Sequence, residues 1–214
     1  MEAAGRLFAA RSFSGVSVRE LARAAKVNAA AISYHFGGKD GLYDAVLEKL
    51  VADTGPLMQP LIDALERGVR QARGDRDALA RVAAGFIERL LTSILVRRAL
   101  SWQMPLMLRE FQDPSSGFAM VVRERIDPVH DAIARLVAAA TGLDAHAPEA
   151  KLLAANFMGQ CMMFGATRAL IFARLGWEEY TPEHVALITR TLTPRMLAAL
   201  GLPDCDAAEA EPRV

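Results

Sequence analysis

Three observations predict an all-α fold, with an N-terminal three-helix helix-turn-helix domain followed by a second helical domain. Apolar residues recur at helical spacing along nearly the whole chain, and alternating strand patterns are almost absent. Residues 17–36, S-V-R-E-L-A-R-A-A-K-V-N-A-A-A-I-S-Y-H-F, read as two short capped helices around a tight turn, the shape of a reading head. Basic residues gather there: residues 1–39 hold Arg6, Arg11, Arg19, Arg23, Lys26 and Lys39 against only Glu2 and Glu20, in a chain of zero net charge.

The elements follow in order. Residues 2–12 read as a helix whose Leu7 and Phe8 face the head. It starts abruptly, so a missing N-terminal turn or arm is expected. Ser14-Gly15 turns the chain toward Ser17, which caps the next helix and forms a Ser-x-x-Glu capping box with Glu20. Ala24 and Ala25 are small enough to admit a closely crossing helix, and Val27 and Ile32 are expected to hold the crossing. Asn28 caps the second helix, 29–35, and Gly37-Gly38 ends it. A fourth helix is expected over 40–54, with Leu42, Tyr43, Val46, Leu47 and Leu50 on its apolar stripe. Gly55-Pro56 then marks a break. Further helices are expected at 57–72, 75–97, 98–110, 116–141, 148–175 and 182–200. Pro128 and Pro194 are expected to kink theirs. Thr181-Pro182-Glu183 is a strong helix start. The expected domains are 1–50 for the head, 56–202 for the helical body and 203–214 for an acidic, disordered tail.

Composition narrows the function. Over 214 residues, 52% apolar and 23% charged describe a globular chain with a real core. Zero net charge argues against coating nucleic acid or an anionic membrane, but allows a local basic face. Cys161 and Cys205 lie far apart and the four histidines are isolated. That pattern predicts a reduced, cytoplasmic protein with no metal site and no cofactor. No signal peptide is evident. The uncharged run of 16 residues between Lys151 and Arg168 is shorter than the roughly 20 of a membrane span and predicts a buried helix. No Gly-rich phosphate loop, His-x-x-x-His pair or G-x-S-x-G elbow is present, so no enzyme is expected.

Residues 7–47, L-F-A-A-R-S-F-S-G-V-S-V-R-E-L-A-R-A-A-K-V-N-A-A-A-I-S-Y-H-F-G-G-K-D-G-L-Y-D-A-V-L, resemble the DNA-binding domain of TetR-type transcriptional regulators. The segments R-E-F-Q-D-P-S-S-G-F (109–118) and G-Q-C-M-M-F-G-A (159–166) resemble the TetR subgroup with a CerR-type C-terminal domain. The resemblance implies an all-helical homodimer with a divergent effector pocket, in which a small molecule relieves repression. Two departures stand out. Such recognition helices often carry a lysine or other polar residue after the cap, where this chain has Ala29-Ala30-Ala31. A tyrosine or histidine is common where Ser33 stands.

Three residue sets follow. Ser17, Arg19, Tyr34, His35 and Lys39 are the candidates for DNA phosphates, with Asn28 and Ser33 as further readers. Either Ser33, Tyr34 and His35 carry more of the readout, or specificity leans on DNA shape and on apolar contact of residues such as Ala29 and Ala30 with thymine methyls. An effector pocket would draw on Trp102, Met107, Phe111, Phe157, Cys161 and Phe164, with Arg109, Glu110, His130, Gln160 and Arg168 as polar contacts. Arg109 and Glu110 read equally as a structural ion pair, Arg168 as a partner of Glu110, and Cys161 as an inert buried thiol. Leu153, Phe157, Cys161, Phe164, Arg168 and 171–175, with Val185, Ile188, Leu192, Met196 and Leu200, form stripes for a two-fold four-helix dimer or, alternatively, for the subunit's own core. The partners expected are double-stranded DNA bearing a near-palindromic operator, a small-molecule effector and a second copy of the chain, with no membrane. A DNA-binding dimer without an effector, or a small helical enzyme or binding protein, are the alternatives.

Overall fold

The computed structural model describes residues 1–96 and 102–205, and every regular element among them is helical. The described chain divides into two compact units, 1–57 with 102–127 and 58–96 with 128–205.

The first unit begins with the head: α1 (Glu2–Ala10), α2 (Val18–Ala25) and α3 (Ala29–Phe36). The capping box forms as the sequence predicts. The Glu20 N–H donates to Ser17 Oγ, and the Ser17 N–H donates to Glu20 Oε2 at 2.9 Å. Lys26 ends α2 in the left-handed region at φ 57, a conformation that costs a side-chain-bearing residue about 1–2 kcal/mol. This tight turn changes what lies inside. Val27, expected to hold the crossing, is 48% exposed, and Ala24 and Ala25 also face out. Val16, Leu21, Ala22 and Ile32 are buried instead. Asn28 Oδ1 accepts from Ala30 N–H at 3.0 Å, and Gly37 closes α3 at φ 73, where only glycine is free of strain. Behind the head, Phe8, Phe13 and Tyr43 meet edge-on and stacked, with ring centroids 4.8–6.1 Å apart.

The helix expected over 40–54 does not stop. α4 runs unbroken over Lys39–Ala72, through Gly55 and Pro56. The missing proline donors explain why this is tolerated. Pro56 and Pro60 lie on an exposed face, as does Ala52, so the carbonyls left without a donor meet water. The apolar stripe meanwhile continues from Leu50 to Met58, Ile62 and Leu65.

Of the helix expected over 98–110, residues 98–101 lie outside the described residues, as does residue 97, the last of the one expected over 75–97. α6 spans Gln103–Gln112. α6, α7 (Phe118–Val121) and the π-helical turn Val122–Ile126 belong to the same compact unit as the head. Gly5 is what lets α6 approach α1: a Cβ there would stand 2.6 Å from the Trp102 ring. The π-turn interrupts the single helix expected over 116–141. Pro128 has no N–H to offer the Glu124 carbonyl, and the Asp127 N–H reaches back five residues to Val122.

In the second unit, α5 (Arg76–Leu95), α8 (Asp127–Thr141, most of it in this unit), α9 (Pro148–Ala166), α10 (Arg168–Leu175) and α11 (Pro182–Ala199) enclose one core. α9 and α10 replace the single helix expected over 148–175. Thr167 leaves helical geometry at φ −105, ψ 25, and its hydroxyl donates to the Met163 carbonyl at 2.8 Å. Pro194 remains inside α11. Phe157, Cys161, Val185, Ile188, Met196 and Leu200 are buried in this core. The stripe expected for a dimer is therefore largely the subunit's own interior. The exposed face of α9 carries Leu152, Ala155, Asn156, Gly159, Met163 and Ala166. Residues 203–205 have no regular structure, and the acidic tail from residue 206 lies outside the described residues. Among the described residues no helix is long and apolar enough to cross a membrane.

Candidate nucleic-acid interface

α3 presents its readers outward. Ser33, Tyr34 and His35 are exposed, Tyr34 at 85%, and the Tyr34 and His35 rings meet edge-on with centroids 5.0 Å apart. A large aromatic left this exposed gains nothing for the fold and offers a hydroxyl and a ring edge to a partner. Asn28 is exposed as well. Its Oδ1 serves as the cap, leaving the amide NH₂ to face outward. Ala30 is exposed and Ala29 partly so. Val27 stands at the same end of α3 and adds an apolar contact that the sequence reading had assigned to the interior.

The flanking candidates differ in how free they are. Arg19 is exposed and has no ion pair among the described residues. The Ser17 hydroxyl is occupied by Glu20, to which it donates at 2.8 Å. Glu20 also accepts from Arg11 at 2.6 Å. The Ser17 backbone N–H, the Ser17 hydroxyl and Arg11 together hold the Glu20 carboxyl down to about 2. The only acid of α2 is thus held as a carboxylate whose charge is balanced by Arg11 and by the N-terminal end of its own helix. Lys39, at the start of α4, lies with Nζ 4.3 Å from the Phe13 ring centroid.

The effector candidates are divided between the two units. In the head's unit, Trp102 is buried against Gly5 and Met107 is buried, whereas Phe111 is 39% exposed. Arg109 and Glu110 do not pair with each other. Arg109 donates to the carbonyls of Ala9 at 2.7 Å and Ala10 at 3.0 Å, satisfying the free end of α1. Glu110, 1% exposed, accepts from the Tyr43 hydroxyl at 2.5 Å and from the Ser115 N–H and hydroxyl at 3.3 and 2.8 Å. Burial, then the bond to Glu110, raises the Tyr43 hydroxyl above its ordinary range. A cavity of about 200 Å³ lies beside this network, lined by Ser12, Phe13, Tyr43, Asp113 and Pro114 among others. In the second unit, Phe157 packs near Phe86, Cys161 is buried, and Phe164 is partly buried against the core. His130 is partly buried on α8. Gln160 donates to Asn156 at 2.7 Å, and the Arg168 guanidinium lies 4.9 Å from the Phe172 ring.

A doubly capped helix-turn-helix with an exposed reading face, carried on an all-helical body, defines a DNA-binding transcriptional regulator. The comparisons name the family. Residues 1–46 match the family of bacterial regulatory proteins of the tetR type. Residues 81–201 match the C-terminal domain of the HTH-type transcriptional dual regulator CecR. The chain belongs to the TetR family of transcriptional regulators, and its C-terminal subgroup, expected above under the name CerR, is the CecR one. It is 29% identical over 177 residues to the HTH-type transcriptional dual regulator CecR of Shigella flexneri, covering 83% of this chain and 79% of that protein. A structure of AibR in complex with isovaleryl coenzyme A and operator DNA shares the fold, with a TM-score of 0.55, 16% identity, and coverage of 91% of this chain and 94% of that one.

Proposed function

We propose that this regulator binds a near-palindromic operator as a two-fold homodimer and leaves it when a small molecule binds outside the reading head. The observation that carries the reading is the face of α3, where Asn28, Ser33, Tyr34 and His35 stand exposed. Two such helices would enter successive major grooves about 34–36 Å apart. With three alanines on α3, selectivity per subunit is modest and the spacing of the two heads supplies much of the rest.

The dimer reading is supported by the outer face of α9. Residues 152–167 carry no charge, yet Leu152 is 70% and Met163 55% exposed. A solvent-facing helix normally carries charge, and Ala155, Gly159 and Ala166 leave room for a second helix. Leu187 on α11 is likewise 42% exposed. The effector reading is supported by AibR, whose structure holds both isovaleryl coenzyme A and operator DNA. Residues 102–127 bond to α1 and α4 within the head's unit, so an effector acting on them would reach the head through Arg109 and Glu110. Induction would then be a population shift toward a form whose heads no longer match the operator. A DNA-binding dimer without an effector is the second reading, favoured by the structural use of both Arg109 and Glu110.

The test is a gel-shift titration against the promoter beside its own gene. Specific, salt-sensitive binding that saturates at two subunits per site is expected. Absence of specific binding there, or full affinity from a single subunit, would count against the reading.

A further inference from the structure

Arg125 lies in the π-helical turn Val122–Ile126, a widened turn of the kind that often marks a functional site. Its Nε donates to Thr54 Oγ1 at 3.0 Å. Thr54 is buried, and its own hydroxyl donates to the Leu50 carbonyl. No carboxylate of the described residues lies within ion-pair distance of the guanidinium. Glu124, next to it in sequence, and Asp53, next to Thr54 on α4, have other partners. Glu124 pairs with Arg123 at 2.9 Å, while Asp53 accepts from Lys49 at 2.9 Å and from Gln103 at 3.3 Å. Burial draws the guanidinium down to about 10, still charged at neutral pH and with no carboxylate of the described residues paired to it. A second group is unfilled on α6: Gln103, whose amide NH₂ donates to Asp53 on α4, has a buried Oε1 with no partner. Asp53 and Thr54 are adjacent, so Arg125 and Gln103 each bond to the same turn of α4.

We propose that Arg125 anchors the carboxylate of a small monoanionic effector, with Gln103 Oε1 accepting from a hydroxyl or N–H of the same molecule. The proposal rests on the effector-responsive reading above and names the chemical class of the ligand. A guanidinium presents its N–H groups as a fork that a carboxylate fills with two bonds. One cation suits a single negative charge; a phosphate dianion would call for a further cation, and Lys49 on α4 is already paired with Asp53. Arg125 thus takes a polar contact to the effector of the kind expected from the sequence at Arg109 and Arg168.

The test is isothermal titration of the full chain with butyrate, octanoate, octanamide and inorganic phosphate, repeated on Arg125→Gln and Arg125→Lys. At least one carboxylate should bind ten-fold or more tightly than octanamide. Arg125→Gln should abolish that preference and Arg125→Lys keep part of it. The ligand-free Arg125→Gln protein should melt no lower than the parent, because the change removes a charge that no carboxylate of the described residues pairs with. The proposal is overturned if neither carboxylate binds, if phosphate binds more tightly than both, or if Arg125→Gln and Arg125→Lys keep the full preference for carboxylate over amide. Gel shifts run in parallel separate the two readings. A carboxylate held through Arg125 that leaves operator binding intact supports this site and refutes induction. Operator release by octanoate and octanamide alike, unaffected by either substitution, supports induction and refutes this site.

Discussion

Removing the Tyr43 hydroxyl, by Tyr43→Phe, tests whether Glu110 belongs to the fold or to a pocket. The ring contacts with Phe8 and Phe13 survive the change, and only the 2.5 Å bond to Glu110 is lost. Tyr43 is 5% and Glu110 1% exposed, so water does not readily replace the missing donor. Glu110 keeps its two bonds from Ser115. A hydrogen bond to a charged group contributes about 1.5–3 kcal/mol, and that is the expected loss. For a chain of this size each kcal/mol moves the melting temperature by about 2–4 °C, so a fall of roughly 3–12 °C is expected. Urea denaturation of Tyr43→Phe, Glu110→Leu and the double variant measures the coupling. Glu110→Leu alone orphans the Tyr43 hydroxyl and the Ser115 N–H and should cost more than Tyr43→Phe. The double variant should cost less than the sum by about 1 kcal/mol or more, because neither partner is then left unpaired. Additivity to within about 0.3 kcal/mol would refute the pairing.

Four further outcomes are expected. Tyr34→Ala should leave stability within about 0.5 kcal/mol, since the side chain is exposed, yet weaken operator binding at least ten-fold in a gel shift; an unchanged affinity would remove Tyr34 from the interface. The Glu20 carboxyl is held near 2, below its ordinary 4.5, so its contribution to the head is complete above about pH 4.5 and lost as the pH falls toward 2. The stability gap between the parent and Glu20→Gln should close over that window in acid titrations. Gly159→Arg, on the open face of α9, should convert a dimer to a monomer in sedimentation equilibrium without loss of helicity. Burial pushes the Cys161 thiol up to about 12, so iodoacetamide at about pH 8 should leave it unlabelled in the native protein and label it in urea.

The chain's local signals were legible and its faces were not. Ser17 with Glu20, Asn28, and Thr181 with Pro182 announce helix starts because a cap is a contact across two or three residues, and all three form. The reading face of α3 was legible for the same reason, since its boundaries and period decide which residues share a side. α9 was harder. It is apolar all round, so period alone could not say which face is the core. Phe157 and Cys161 turned inward, and Leu152 and Met163 outward. Proline punctuation misled at Gly55-Pro56, because an exposed carbonyl without a donor is satisfied by water and α4 carries on.

By itself the sequence determined an all-helical chain, its capped reading head and the basic charge around it, because those follow from residue type at short spacing. Only the tertiary structure decided the roles of the charged residues. Arg109 finds the end of α1 about a hundred residues earlier in the chain, and Glu110 finds Tyr43. Among the described residues Arg125 finds a threonine and no paired acid. Whether a buried charge is a strut or an open site depends on what distant segments bring to it, and no local pattern records that.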